Sequence, residues 1–119
     1  MSSEKNEDVV IDGVTYRYVV GANSPYRYRG PDGTWYRKHE NGGGLVGQDA
    51  NVEPSVHVGA GSRVFGTARL KDGVRLTGRA QVGGMVDAEG TGTFYGSTYL
   101  TGGFCKNFGL KEVDERRDD

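Results

Sequence analysis

Two histidines, one cysteine and two clusters of arginine are the residues of this 119-residue chain whose types can do chemistry. His39, His57 and Cys105 are the candidate metal ligands, and a catalytic zinc ordinarily takes three protein ligands plus water. The three are spread over most of the chain with no ligand spacing between them, so no metal site is expected. Cys105 has no nucleophile signature around it and reads as a lone reduced thiol that behaves as a small hydrophobe. Gly42-Gly43-Gly44-Leu45-Val46-Gly47 is glycine-rich but lacks the lysine and Ser/Thr of a phosphate loop, so it reads as a linker. No cofactor is expected.

The arginines carry more. Residues 14–38 hold Arg17, Arg27, Arg29, Arg37 and Lys38 against Asp32 alone, a local net of +4. They interleave with Tyr16, Tyr18, Tyr26, Tyr28, Trp35 and Tyr36. Aromatic rings beside a positive groove hold single-stranded nucleic acid. Alternation alone gives another reading, in which tyrosine faces inward and arginine outward on an amphipathic hairpin. Residues 63–79 add Arg63, Arg69, Lys71, Arg75 and Arg79 against Asp72, again +4. The whole chain has a pI of about 6.1 and a net charge of −1, whereas nucleic-acid-binding domains tend to exceed about 9. A positive patch can equally meet an acidic protein surface. The binding-surface candidates are Arg27, Arg29, Trp35, Tyr36, Arg37, Arg63, Arg69, Arg75 and Arg79.

The elements that position these residues must be built from unusual material. Glycine supplies 21 of the 119 residues, about 18% against an ordinary usage of roughly 7%. The length allows one small domain. No apolar run approaches the ~20 residues that span a bilayer, and the acidic Met1–Asp8 does not read as a secretory signal. One cysteine excludes an internal disulfide framework, so a reducing, cytoplasmic setting is expected.

Sixteen of the glycines fall between Gly42 and Gly103, and their phase is regular. Every sixth residue from Val46 reads Val46, Val52, Val58, Val64, Leu70, Leu76, Val82, Ala88, Phe94, Leu100, all apolar. Two positions on, glycine takes six of ten places, among them Gly66, Gly78, Gly84, Gly90 and Gly96. Four positions on, nine of ten residues are small or β-branched. A helix of period 3.6 cannot use this pattern, while positions one and five of a strand point the same way. The regular glycine marks a corner where a Cβ would oppose the backbone. Short strands joined by regular corners make a solenoid.

The runs Val64-Phe65-Gly66-Thr67-Ala68-Arg69 and Leu76-Thr77-Gly78-Arg79-Ala80-Gln81 resemble the hexapeptide-repeat, left-handed parallel β-helix proteins. The resemblance implies a triangular coil of three hexapeptides, hence an all-β fold of about three coils, and side-by-side packing into a trimer or dimer. Residues 18 apart should then stack at about 4.8 Å. The outward columns Glu53, Lys71, Glu89 and Arg69, Asp87 alternate in sign, as stacked strands favour. The bulky Phe94, Tyr95, Tyr99 and Phe104 late in the repeat read as a cap or an oligomer contact. Among enzymes of this family, acyltransferases use a histidine base, which makes His57 the candidate if the chain is catalytic. They also carry more coils and a substrate loop than this chain has length for. The γ-class carbonic anhydrases need three histidines on zinc, against two here.

Residues 9–41 lack the repeat and read as two hairpins. Asp12-Gly13 and Gly30-Pro31-Asp32-Gly33 supply the turns. These aromatic hairpins are expected to cover the open N-terminal end of a solenoid spanning 42–105, with 39–44 as a hinge or tight entry. Residues 1–8 are expected to be disordered, and 106–119 to form a charged tail, in which Lys111–Asp119 is a frayed short helix at most. The leading functional expectation is a non-catalytic scaffold that docks a protein partner, since rigid repeats present extended surfaces. The repeat style also looks like that of small phage and mobile-element proteins, which implies an anti-CRISPR-like inhibitor of a host defence complex. A minimal trimeric acyltransferase and a nucleic-acid-binding module are the alternatives.

Overall fold

The corners come where the glycines predict them. The computed structural model describes residues 6–11, 13–19, 24–31 and 33–114, and within these Gly66, Gly78, Gly84, Gly90 and Gly96 all have φ between +58° and +78°. Asp72 takes the same position with φ 61°, and its carboxylate accepts the Gly90 N–H at 3.0 Å. A Cβ on Gly66 would lie 2.6 Å from the Gly84 nitrogen on the next rung, so stacked corners leave no room for a side chain.

Between corners the chain runs as short parallel strands on three walls. The first wall carries β5 (Leu45–Gly47), β8 (Arg63–Val64), β11 (Gln81–Val82) and β14 (Tyr99–Leu100). The second carries β6 (Asn51–Val52), β9 (Arg69–Leu70), β12 (Asp87–Glu89) and β15 (Phe104–Lys106). The third carries β7 (His57–Val58), β10 (Gly73–Leu76), β13 (Thr91–Phe94) and β16 (Gly109–Lys111). The fold is an all-β solenoid of four turns, one more than the repeat alone predicts. The apolar column fills its interior: Val46, Val58, Val64, Leu70, Leu76, Val82, Ala88 and Phe94 are fully buried. The small column, including Val56, Ala68, Val74, Ala80 and Val86, packs beside it.

The extra turn is built from the segment expected to be a tail. Gly92, Thr93 and Phe94 pair with Gly109, Leu110 and Lys111, and Tyr99 bridges to Asp114. Among the described residues there is no helix there. The expected tail residues 115–119 lie outside the described residues. The last turn is also a residue short: Ala88 pairs with Cys105 and Phe94 with Lys111, 17 positions apart, whereas Leu70 pairs with Ala88 at 18. Cys105 therefore takes the inward place that an 18-residue step from Ala88 assigns to Lys106, and Phe104, in register with Asp87, turns outward, 63% exposed.

The hairpins exist but do not cover the solenoid end. β1 (Asn6–Ile11), β2 (Val14–Val19), β3 (Tyr28–Arg29) and β4 (Trp35–Lys38) extend the first wall as an antiparallel sheet in the order β1-β2-β3-β4-β5. Residues 6–8 thus belong to a strand rather than a disordered tail, and residues 1–5 lie outside the described residues. The sheet curls back over the outer face of the first wall, where Tyr16, Tyr36 and Leu45 form a second small core with Ile11, Val14, Tyr28 and Phe65. Closure of the first rung falls to residues 39–44, which pair rather than hinge. Gly44 N–H donates to the Val58 carbonyl at 2.8 Å, Val58 N–H to Asn41 at 2.9 Å, and the buried His39 ring bonds the Val56 carbonyl at 2.7 Å.

A candidate basic and aromatic binding face

Strand register sorts the hairpin residues onto two faces. Tyr18, Tyr28 and Tyr36 stand in one row, and Arg17, Arg29 and Trp35 in the next, so they point to opposite sides. Tyr36 is 2% exposed and packs edge-on against Tyr16 with ring centroids 5.5 Å apart. It is a core residue, not part of a binding surface, because it shares the face on which Leu45 lies. Arg37 is in register with Val46 and falls on the other side with Trp35, Arg29 and Arg17.

That second side is a cationic, aromatic surface. The Arg29 guanidinium lies 5.6 Å from the Trp35 ring and that of Arg37 lies 5.9 Å from the Tyr26 ring. Stacking of this kind holds a guanidinium plane while leaving its N–H edge for a carboxylate or phosphate. Among the described residues no carboxylate is within ion-pair distance of Arg29 or Arg37. Arg17 has Asp8 at 3.8 Å, both exposed, a contact too solvated to hold either firmly. Trp35 is anchored by its backbone, donating to Gln48 Oε1 at 3.1 Å and accepting from the Gln48 N–H at 2.9 Å. Ser24, Tyr26, Trp35 and Gln48 line an open cleft of about 410 Å³ beside these arginines. Arg27 is half-buried, its Nε donating to the Ser24 carbonyl at 3.1 Å, which fixes the edge of this cleft.

The second arginine cluster is not a patch. Arg63 lies on the first wall, Arg69 on the second and Arg75 on the third. Six residues is one side of the coil, so each outward arginine faces a different direction. Arg69 stands between Asn51 and Asp87, and Arg75 between His57 and Thr93. Arg79 rejoins Arg63 near the first wall, where both line one cleft. Of the expected charge columns, Lys71 lies 3.9 Å from Glu89 and Arg69 stands in register with Asp87, while Lys106, outside the expected columns, also lies 3.9 Å from Glu89.

The late aromatics also separate. Phe94 is fully buried and serves the core rather than a contact between copies, because its position is inward. The residue lying on it is Phe108, with ring centroids 4.5 Å apart. Phe108 lies one step past the end of the glycine column, a phase that marks corners and not core, which is why the pattern does not single it out. Tyr95 and Phe104 are exposed, and Tyr99 is half-buried against Phe65 at 5.7 Å. His57 is half-buried and its Nδ1 faces Asn41 Oδ1 at 3.3 Å, which makes Nδ1 the donor. His57 lines neither cleft. Burial holds the His39 pKa below its ordinary value; the nearby Arg37 charge adds to this, while the Val56 carbonyl and the Glu40 carboxylate offset it only in part.

Among the described residues no three His, Cys, Asp or Glu side chains converge, and no helix is long and apolar enough to cross a membrane. Comparison with family models, curated proteins and solved structures returned no match.

Proposed function

We propose that the protein is a non-catalytic binding module that docks an acidic protein surface through Arg17, Arg29, Trp35 and Arg37. The observation that supports this is the pair of stacked arginines, Arg29 on Trp35 and Arg37 on Tyr26, with no carboxylate partner among the described residues. Arginine and tryptophan are the residue types that anchor interfaces, and rings that preorganise the guanidinium lower the ordering cost of binding. The solenoid contributes rigidity by fixing β4 against β5. In its narrower form the partner belongs to a host defence complex that this protein inhibits.

A nucleic-acid strand is the second reading, favoured by the cleft between Tyr26 and Trp35, where a base has rings to stack on. One experiment separates the two. The tagged protein is used to recover partners from native host lysate, with and without nuclease, and its binding to a labelled single strand is followed across salt. A stoichiometric protein partner that survives nuclease supports the first reading. Strand binding whose affinity falls steeply with salt supports the second. Turnover of an acyl donor with no partner recovered overturns both.

A further inference from the structure

Arg63 occupies an unusual environment on the outer face of the first wall, opposite the basic and aromatic face. Its guanidinium lies 5.8 Å from the Tyr36 ring and 5.2 Å from the Phe65 ring. Nη1 donates to the Tyr16 hydroxyl at 3.0 Å and Nη2 to Gln81 Oε1. Nε is buried with no hydrogen-bond partner. Among the described residues no carboxylate pairs with it. The charge is thus fixed in place, partly desolvated and met only by neutral acceptors. A partly buried charge without a counter-ion is a costly arrangement.

This guanidinium opens onto a cleft of about 450 Å³. Arg79, Gln81, Ser97, Tyr99 and Asp114 line it with Arg63, and Val14 of the hairpin joins them. Three distant segments converge there: the β1–β2 hairpin, the first wall and the end of the described chain. The volume is in the range of small-molecule sites, which are roughly 300–1,000 Å³. Among the described residues, two arginines against one aspartate leave a formal charge of +1, which suits a single anionic group rather than a polyanion. The Tyr99, Ser97 and Gln81 side chains offer neutral polar groups around it.

We propose that this cleft binds a small molecule through one carboxylate or phosphate group, with Arg63 as the fixed anchor and Arg79 as the second cation. The inference concerns a site separate from the docking face and does not depend on it.

The test is titration of the intact protein with inorganic phosphate and with lactate, read by the arginine Nε–Hε resonances and by calorimetry. A saturable shift of the Arg63 resonance with a Kd of about 1 mM or tighter is expected for at least one probe. Arg79→Gln should weaken that binding about tenfold, while Arg75→Gln on the third wall should leave it unchanged. Preference for phosphate or lactate identifies the anionic group, and either supports the site. Absence of a saturable Arg63 shift with both probes overturns the proposal. So does equal weakening by Arg79→Gln and Arg75→Gln, which would mean diffuse attraction. Arg63→Lys is a supplementary variant: with its fold retained by circular dichroism, unchanged affinity overturns the anchor role.

Discussion

Cys105 stands in register with Ala88 after 17 residues, where Ala88 itself follows Leu70 after 18. One missing residue in the last turn exchanges the faces of two neighbours, because side chains alternate along a strand. Cys105 becomes a core residue and Phe104 a surface one.

This register has a direct chemical readout. The native Cys105 thiol should react slowly with a thiol reagent and at full rate in denaturant. Phe104→Ser should change stability by no more than about 0.5 kcal/mol, as surface changes do, while Cys105→Asp should cost several-fold more. Urea unfolding followed by circular dichroism measures both. A large loss from Phe104→Ser would restore the 18-residue register in the last turn.

The corners give a second contrast. Gly84→Ala places a Cβ 2.1 Å from the Thr101 carbonyl oxygen at φ +58°, and should cost more than about 1 kcal/mol. Gly102→Ala meets nothing within 4 Å and should be nearly neutral. At Asp72, replacement by alanine loses the bond to Gly90 N–H and keeps the strained φ, so Asp72→Ala should be worse than Asp72→Gly. Equal midpoints in urea for Gly84→Ala and Gly102→Ala would contradict the stacked-corner geometry.

Phe94 and Phe108 close the far end of the core. Phe94→Ala should cost about 3–5 kcal/mol as a large cavity in a buried site. Phe108→Ala should cost less, because that ring is only half-buried. Reversal of that order in denaturant unfolding would place the end of the core elsewhere.

His39 supplies a pH dependence. Its native pKa is lowered by burial, so the unfolded chain binds the proton more readily. The stability associated with neutral His39 is fully present above the unfolded value of about 6.5 and is lost as pH falls toward the lowered native value. His39→Gln, which keeps a donor for Val56, should remove that part of the slope. Identical stability profiles for the two proteins from pH 7 to 5 would contradict a buried neutral His39.

Most of the solenoid was legible because its information is local. Gly66 to Gly96 mark corners at fixed spacing, and Val46 to Leu100 mark the inward side. The same spacing already scatters Arg63, Arg69 and Arg75 over three walls, although a count of local charge suggests a patch. Two features depended on long-range packing. The curl that lays Tyr16 and Tyr36 on Leu45 and brings Arg63 under Tyr16 is set by contacts distant in sequence. The second corner of the fourth turn has no glycine in phase: Asn107 takes it with φ 49°, and its side chain accepts the Thr91 N–H at 2.9 Å.

The docking face is tested most directly by quantitative recovery from native host lysate with three proteins: the wild type, Arg29→Gln/Arg37→Gln, and Arg69→Gln/Arg75→Gln. All three should fold alike by circular dichroism, since these side chains lie outside both cores. A stoichiometric partner should be held by the wild type and by the Arg69/Arg75 variant and lost by the Arg29/Arg37 variant. Equal recovery by all three, or loss only with Arg69 and Arg75 replaced, would contradict the docking face.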